Sequence, residues 1–377
     1  MEVNQLTRAA DQKNQFGSYS ESDVVFLLKD LSSFSLEGTI EQREKNIQSG
    51  QHYSETLPIE YQPPENYLSI FRETLVEYKR KVALCTGIVS EQIWRLKGEN
   101  TVLVSLARAG TPVGILIKRY LSEIYGVNLP HYSISIIRDR GIDENAIKHI
   151  LKTHPGKNIQ FVDGWTGKGA ISIELTKACK GFYETHGVLL DDTLAVLADP
   201  GHCTTLYGTR EDFLIPSACL NSTVSGLVSR TVLNNNLIGP SDFHGAKYYK
   251  ELESADVSNE YLSAVGNEFQ SIKQEAAERA AVLMENPGEA TFQGMEEIRE
   301  IKEEFKIESI NFVKPGVGET TRVLLRRLPW KILMKDPESP YVRHIVMLAV
   351  ERNVEIIQYP NMSYTCCGLI KKAGKEQ

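Results

Sequence analysis

TVLVSLARAGTPVG, residues 101–114, opens as a run of buried-strand composition and closes as a loop of small residues that starts a helix at Pro112. The apolar run is too short for an ordinary helix, and proline suits a first helical turn. The same unit recurs downstream. YSISII (132–137) precedes a helix running from Asp143, its predicted N-cap, to about 153; IQFVD (159–163) precedes a helix over about 169–184; LAVLAD (194–199) is a fourth strand. Strands separated by single helices need crossovers, which are right-handed in nearly all folds. The predicted class is therefore α/β, with a mostly parallel, doubly wound sheet whose ligands gather at the C-terminal strand ends.

Upstream, Tyr67, Ile70, Phe71, Leu75 and Tyr78 recur at helical spacing and predict a helix over 66–95. Residues 1–20 read as poorly ordered, DVVFLLKDL (23–31) as helix or strand, and Glu44–Glu55 with YQPPE (61–65) as loop. Downstream, 200–250 is loop and mixed structure, and 255–305 is acidic and helical in period with a break at ENPGEA (285–290). From Ile307 a compact unit is predicted: a helix over 318–327, strand WKILMK, a helix over 340–352, strand VEIIQY and a short strand near CGLIK. The expected domains are residues 1–254, with a core at about 90–200 and an N-terminal extension at 1–65; a helical linker, 255–305; and a small α/β domain, 306–377.

A chain of 377 residues suits two domains, and 41% hydrophobic with 24% charged residues suits a soluble protein with a proper core. No apolar run approaches the ~18 residues of a membrane span, and no signal-peptide pattern opens the sequence. Six cysteines without CxxC or zinc spacing read as reduced thiols, so the expected compartment is the cytoplasm. From Lys306 onward, 12 Lys and Arg stand against 7 Asp and Glu, on a chain whose formal net charge is -7. A basic tail on an acidic body points to an anionic partner, or to a solvated basic surface.

Two strand ends carry chemistry. ARAGTPVG (107–114) and GWTGKGA (164–170) run from a strand straight into a helix, where unpaired N–H groups and the helix dipole favour phosphate. Arg108 and Lys168 add cations, and Asp163 accepts from hydroxyls. The second loop fails the Walker A pattern, because Val162 stands where the first Gly belongs and Gly169 follows Lys168. Neither loop has the G-x-G-x-x-G spacing of a dinucleotide fold. Past YSISII, Arg138 and Arg140 flank Asp139, either as a pyrophosphate clamp or as a local ion pair.

FVDGWTGKGA resembles the ribose-phosphate loop of type I phosphoribosyltransferases, and LVSLARAGTPVG resembles their pyrophosphate loop. Together with FGSYSESDVVFLLK, EKNIQSGQHYSE, HYSISIIRDRGID and DFLIPSACLNSTVSGLVSRT they resemble the StiP family over about Phe16 to Tyr249. That family is associated with tellurite-resistance and stress gene clusters, and some members are named cysteine proteases. The resemblance implies a type I phosphoribosyltransferase-like domain. Asp163 would meet the ribose hydroxyls of phosphoribosyl pyrophosphate, and Gly164, Thr166, Gly167, Lys168 and Gly169 the 5-phosphate. Arg108, Ala109, Gly110 and Thr111, with Arg138 and Arg140, would hold the pyrophosphate, bridged by Mg2+ whose protein ligands are unspecified. Asp163 and Arg108 would then carry catalysis. Gly164 replaces the second of two acids usual in such loops, which permits an altered or binding-only reaction.

The cysteine-protease name singles out Cys219 in IPSACLNSTVSG and His244 in DFHGAKYY as an alternative nucleophile and base. The bland reading of Cys219 is inert packing. His202–Cys203 is a weaker pair. The remaining histidines lack ligand-like spacing; His131, before a buried strand, stands out.

FVKPGVGETTRVLLRR (312–327) has the form of a glycine turn feeding a basic helix, able to hold a nucleic-acid phosphate. Over about Ile307 to Lys371 it resembles the pelota-like, kink-turn-binding fold, with GVGETTR in place of G-x-N-E-x-T-K. The resemblance implies RNA contacts from Lys314, Gly316, Glu319, Thr321, Arg322 and Arg326. Arg326 and Arg327 could instead dock the tail on the acidic body. The leading expectation is phosphoribosyl transfer involving a nucleoside-like metabolite. The alternatives are a cysteine hydrolase and a non-catalytic sensor that reads a phosphorylated ribose or nucleotide and RNA.

Overall fold

The computed structural model describes residues 16–39, 42–43 and 49–370; the predicted disorder at the start of the chain falls largely outside them, as does the side chain of Arg326. The segment 23–31 is neither one helix nor one strand. It forms β1 (Val25–Phe26) and β2 (Lys29–Asp30), followed by β3 (Glu37–Gly38) and β4 (Leu57–Pro58). Helix α1 (Glu65–Lys97) follows, with Leu68, Phe71, Leu75, Tyr78 and Val82 buried at intervals of three and four. It ends where Gly98 takes φ 54 and its N–H returns to the Trp94 carbonyl.

The alternating core then reads β5 (Thr101–Ala107), α2 (Gly110–Tyr125), β6 (His131–Ile137), β7 (Gly141–Ile142), α3 (Glu144–Thr153), β8 (Asn158–Trp165), α4 (Ala170–His186), β9 (Ala195–Ala198) and β10 (Leu206–Thr209). Asp143 caps α3 as its side-chain chemistry predicts, accepting from Ala146 N at 3.0 Å. The main sheet has the order β1-β6-β5-β8-β9-β10 with every neighbour parallel; β7 alone pairs antiparallel, with β6. One face buries α1 and α2, the other α3 and α4, because β5 and β6 alternate their side chains between two separate clusters. Leu103 belongs to the first, and Val102, Val104, Ile134 and Ile136 to the second. This is the doubly wound, mostly parallel architecture expected.

After β11 (Gly245–Ala246), which pairs with β2, the acidic helical stretch divides between the two units. Helices α5 (Ser258–Gly266) and α6 (Phe269–Glu285) pack on α1 and α2. Gly87 makes the α1–α6 approach possible: a Cβ there would lie 2.8 Å from Ala276 Cβ. Helix α7 (Gln293–Glu304) instead buries Ile298 and Ile301 against the C-terminal module. That module comprises β12 (Val313–Pro315), α8 (Val317–Arg326), β13 (Pro329–Met334), α9 (Arg343–Glu351), β14 (Glu355–Gln358) and β15 (Cys366–Ile370), in the sheet order β12-β15-β13-β14. Among the described residues no helix is long and apolar enough to cross a membrane.

Candidate functional site

The ends of β5 and β8 face the C-terminal module across a cavity of about 250 Å³. Its walls include Asp163, Lys168 and the glycine loop before α4 on the body side, and Lys314, Glu319 and Arg322 on the module side. Gly110 lets the two body loops lie against each other, since a Cβ there would be 2.4 Å from the Val162 carbonyl oxygen. Burial pushes the Asp163 carboxyl up to about 7, against the bond it accepts from Gly164 N. Burial, with Lys314 and Arg138 nearby, draws Lys168 down to about 8. Glu319 stays below the usual carboxylate range: burial opposes this, but Arg322 and Lys314 outweigh it.

Several residues predicted to hold a sugar phosphate are committed to protein partners. Arg108, which follows a cis peptide, sends its guanidinium to Asn221 Oδ1 (2.9 Å) and the Val228 carbonyl (3.3 Å). Thr111 is buried, its hydroxyl 2.8 Å from Ser133 Oγ. Thr166 donates to the buried Asp199 carboxylate. Lys168 Nζ donates to the Ile310 carbonyl (2.9 Å) and Asn311 Oδ1 (3.2 Å), and Tyr364 donates to the Gly167 carbonyl (3.1 Å). Arg138 lies 3.7 Å from Asp139, a local ion pair, and Arg140 3.2 Å from Glu55. Ala109, Asp163, Gly167, Lys168 and Gly169 do line one cavity.

The module's signature end is turned inward. Gly316, at φ 90, feeds α8, and Val317 N donates to Asp212 Oδ1 at 2.9 Å. Asp212 Oδ2 accepts from Thr365 N at 2.8 Å, so one body carboxylate ties the start of α8 to the loop before β15. Burial holds Asp212 up at about 6 despite these amides. A Cβ on Gly318 would lie 3.3 Å from Ala218 Cβ. Thr321 is buried and bonds the Val317 carbonyl and His344. Arg322 pairs with Glu319 at 3.2 Å and reaches Asn221 at 3.4 Å. Nothing is described of the Arg326 side chain. Sequence reasoning missed Asp212 and Asn221, whose side-chain partners are distant in the chain and leave no local signal, and Asp199, whose acceptance from Thr166 spans 33 positions.

Cys219 ends a 3-10 turn (Pro216–Cys219) and is fully buried in the core that contains α1 and α2. His244 has different surroundings: its ring Nδ1 lies 2.9 Å from Ser135 Oγ, and its backbone N–H donates to Asp143 Oδ2. Burial draws His244 down. Cys203 is also buried, its sulfur 3.4 Å from the Gly201 carbonyl and behind Gly169. His131 is structural, bridging Ser105 Oγ and the Asp23 carbonyl at 2.8 Å each; burial draws it down to about 4. Among the described residues no group of three or more His, Cys, Asp and Glu side chains is arranged to hold a metal ion.

Residues 17–266 match the family model described as tellurite-like stress resistance cysteine protease StiP, and residues 292–372 match that of the PELOTA RNA binding domain. The chain is similar to a protein of Acinetobacter baylyi named Cysteine protease StiP, with 32% identity over 373 residues and 95% of each chain covered. These findings overturn the expectation of phosphoribosyl transfer: both full descriptions of the large unit name a cysteine protease, and neither names a transferase. The engagement of Arg108, Thr111, Thr166 and Lys168 by protein groups is the structural counterpart of that correction. Mg2+ was expected only as the companion of the sugar phosphate in that reaction.

Proposed function

The chain belongs to the StiP family, and on that premise we propose that it is a cysteine-dependent peptide hydrolase, closed in this arrangement by its C-terminal module. The observation that carries the reading is the nearly end-to-end relation to a protein named as a cysteine protease. Thiolate attack on a carbonyl needs an accessible sulfur, a neighbouring cation and donors for the oxyanion. Lys168, Lys314 and Arg322 supply such donors at the cavity, and Asp163, at about 7, exchanges a proton near neutral pH.

All six cysteines lie outside disulfides and are buried, and burial pushes the thiols of Cys85, Cys179, Cys203 and Cys367 up to about 12. We assign the nucleophile to Cys219 because it lies at the seam between body and module. Its neighbour Ala218 meets Gly318, and Asn221, two residues on, joins Arg108 to Arg322. Lifting α8, which packs on the Pro216–Cys219 turn, would expose that turn, with Arg108, held two residues on at Asn221, as the cation to favour the thiolate. The His244 ring is engaged with Ser135 and does not line the cavity, so the base we assign is Asp163, which does. Cysteines outside disulfides fit a cytoplasmic setting. The strand order and the paired loops support a type I phosphoribosyltransferase-like winding, retained without transferase chemistry.

The test is hydrolysis of a fluorogenic peptide library by wild type, Cys219→Ser and Cys203→Ser, with the alkylated cysteine located by mass spectrometry. Activity lost only in Cys219→Ser, with Cys219 as the labelled thiol, supports the assignment. Full activity in Cys219→Ser refutes it.

A further inference from the structure

Five arginines from segments far apart in sequence lie within reach of one another: Arg322, at the cavity, shares Asn221 with Arg108, while Arg43 and Arg230 meet at Tyr53, with Arg327 acting on both. Arg43 and Arg230 come from the body, as does Arg108 at the end of β5; Arg322 lies on α8 and Arg327 caps its C-terminus. Burial and mutual repulsion act together on them. Arg230 is held down to about 10 by burial, with Arg43 and Arg108 adding; burial and then Arg327 lower Arg43; burial lowers Arg108, and Arg322 opposes its charge further. Guanidinium groups stay protonated at neutral pH, so the repulsion remains in the folded protein.

Among the described residues, little counter-charge is free to meet this cluster. Arg43 bonds Thr56 Oγ1 and the Tyr53 carbonyl, and Arg108 bonds Asn221 and the Val228 carbonyl, all neutral acceptors. Glu60, whose charge Arg108 feels, already accepts from Ser222 N and Oγ. Glu319 is taken by Arg322. Arg230 Nε is buried and has no hydrogen-bond partner, while its guanidinium lies 6.0 Å from the centre of the Tyr53 ring. A buried donor without a partner, among like charges, costs stability unless a ligand completes it.

We propose that this arginine cluster is a binding site for the phosphate backbone of single-stranded RNA, shared between the body and the C-terminal module. Planar guanidinium forks match phosphate oxygens. Two of the five arginines come from the unit that matches an RNA-binding domain. That unit's helix start is occupied by Asp212 and its signature glycines face the body, so RNA meets the protein at the arginines beyond the end of α8. Arg108 and Arg322 also figure in the thiol chemistry proposed above, whereas Arg230 and Arg327 do not, so substitutions at those two test RNA binding without touching the hydrolase reading.

The experiment measures binding of a fluorescein-labelled 12-nucleotide RNA to the full-length protein by anisotropy, over 50 to 300 mM KCl. The variants are Arg230→Gln, Arg230→Lys and the exposed Arg327→Gln. Each Gln variant should weaken binding several-fold and lower the slope of log K against log salt by ~0.7 per lost phosphate contact. Arg230→Lys should keep most of the slope. Removing an unpaired, repelled cation should leave the melting temperature of Arg230→Gln unchanged or higher, whereas a purely structural arginine would lower it. Unaltered RNA affinity and slope in both Gln variants overturns the proposal. So does a wild type that binds no RNA but is thermally stabilised by pyrophosphate through Arg230, which makes the ligand a small anion.

Discussion

Asp212→Ala cuts the tie between body and module at one carboxylate. The change orphans the N–H groups of Val317 and Thr365, which Asp212 holds at 2.9 and 2.8 Å. An unsatisfied buried donor costs ~1–3 kcal/mol, so the pair represents ~2–6 kcal/mol of lost closure. Against this stands the burial that lifts Asp212 from 3.8 to about 6, a penalty on the charged form that alanine removes. The balance therefore depends on pH. A raised carboxyl pKa means the closed state binds the proton more tightly than the open one. Its contribution is present in full below 3.8 and lost as pH rises through about 6. At pH 5 the wild type keeps roughly 1–2 kcal/mol of it, and at pH 7.5 almost none. The alanine variant should thus be more damaging at pH 5 than at pH 7.5 by that amount. Hydrogen exchange at Val317 and Thr365, at the two pH values and corrected for intrinsic rates, reads both the loss and its pH dependence. Equal protection in variant and wild type, or a penalty independent of pH, refutes the reasoning.

Gly114→Ala would place a Cβ 2.1 Å from Ser105 Oγ and 2.3 Å from His131 Nε2, pushing α2 off the sheet; a loss of ~2–4 kcal/mol in urea unfolding is expected. His131 should stay neutral to about pH 4 in imidazole NMR. Because its folded pKa lies below 6.5, its contribution is complete above 6.5 and disappears as pH falls toward 4. Arg119→Ala strands the largely buried Asp23, which Arg119 holds at 2.9 and 2.6 Å, and should lower stability by ~1–3 kcal/mol in the same unfolding assay.

The alternating core was legible because its signals are local. Each strand is a short apolar run, each crossover helix carries its own start, and Asp143 shows its cap within three residues. The segment at 23–31 was ambiguous because its two short strands take their partners from β6 and β11, far along the chain. The candidate site was half legible. Asp163, Gly167, Lys168 and Gly169 do meet in one cavity, since small residues at strand ends are a local signature. Their employment was not, because Lys168 is engaged by the module and Thr166 by Asp199 through contacts no periodicity encodes. The glycine turn before α8 read as a nucleic-acid contact for the same reason: its partner, Asp212, lies 105 positions away.

Strand β15 lies between β12 and β13 and pairs antiparallel with both. It is also the last element of the module in chain order, so the module's sheet stays split until that strand emerges from the ribosome. The α/β body, complete in chain order well before, folds first on an elongating chain. Each new molecule therefore passes through an interval in which Asp212 has gained neither amide from the module and the strand-end cavity stands uncovered. Slow translation of the final segment lengthens that interval, which ties exposure of the cleft to the pace of protein synthesis.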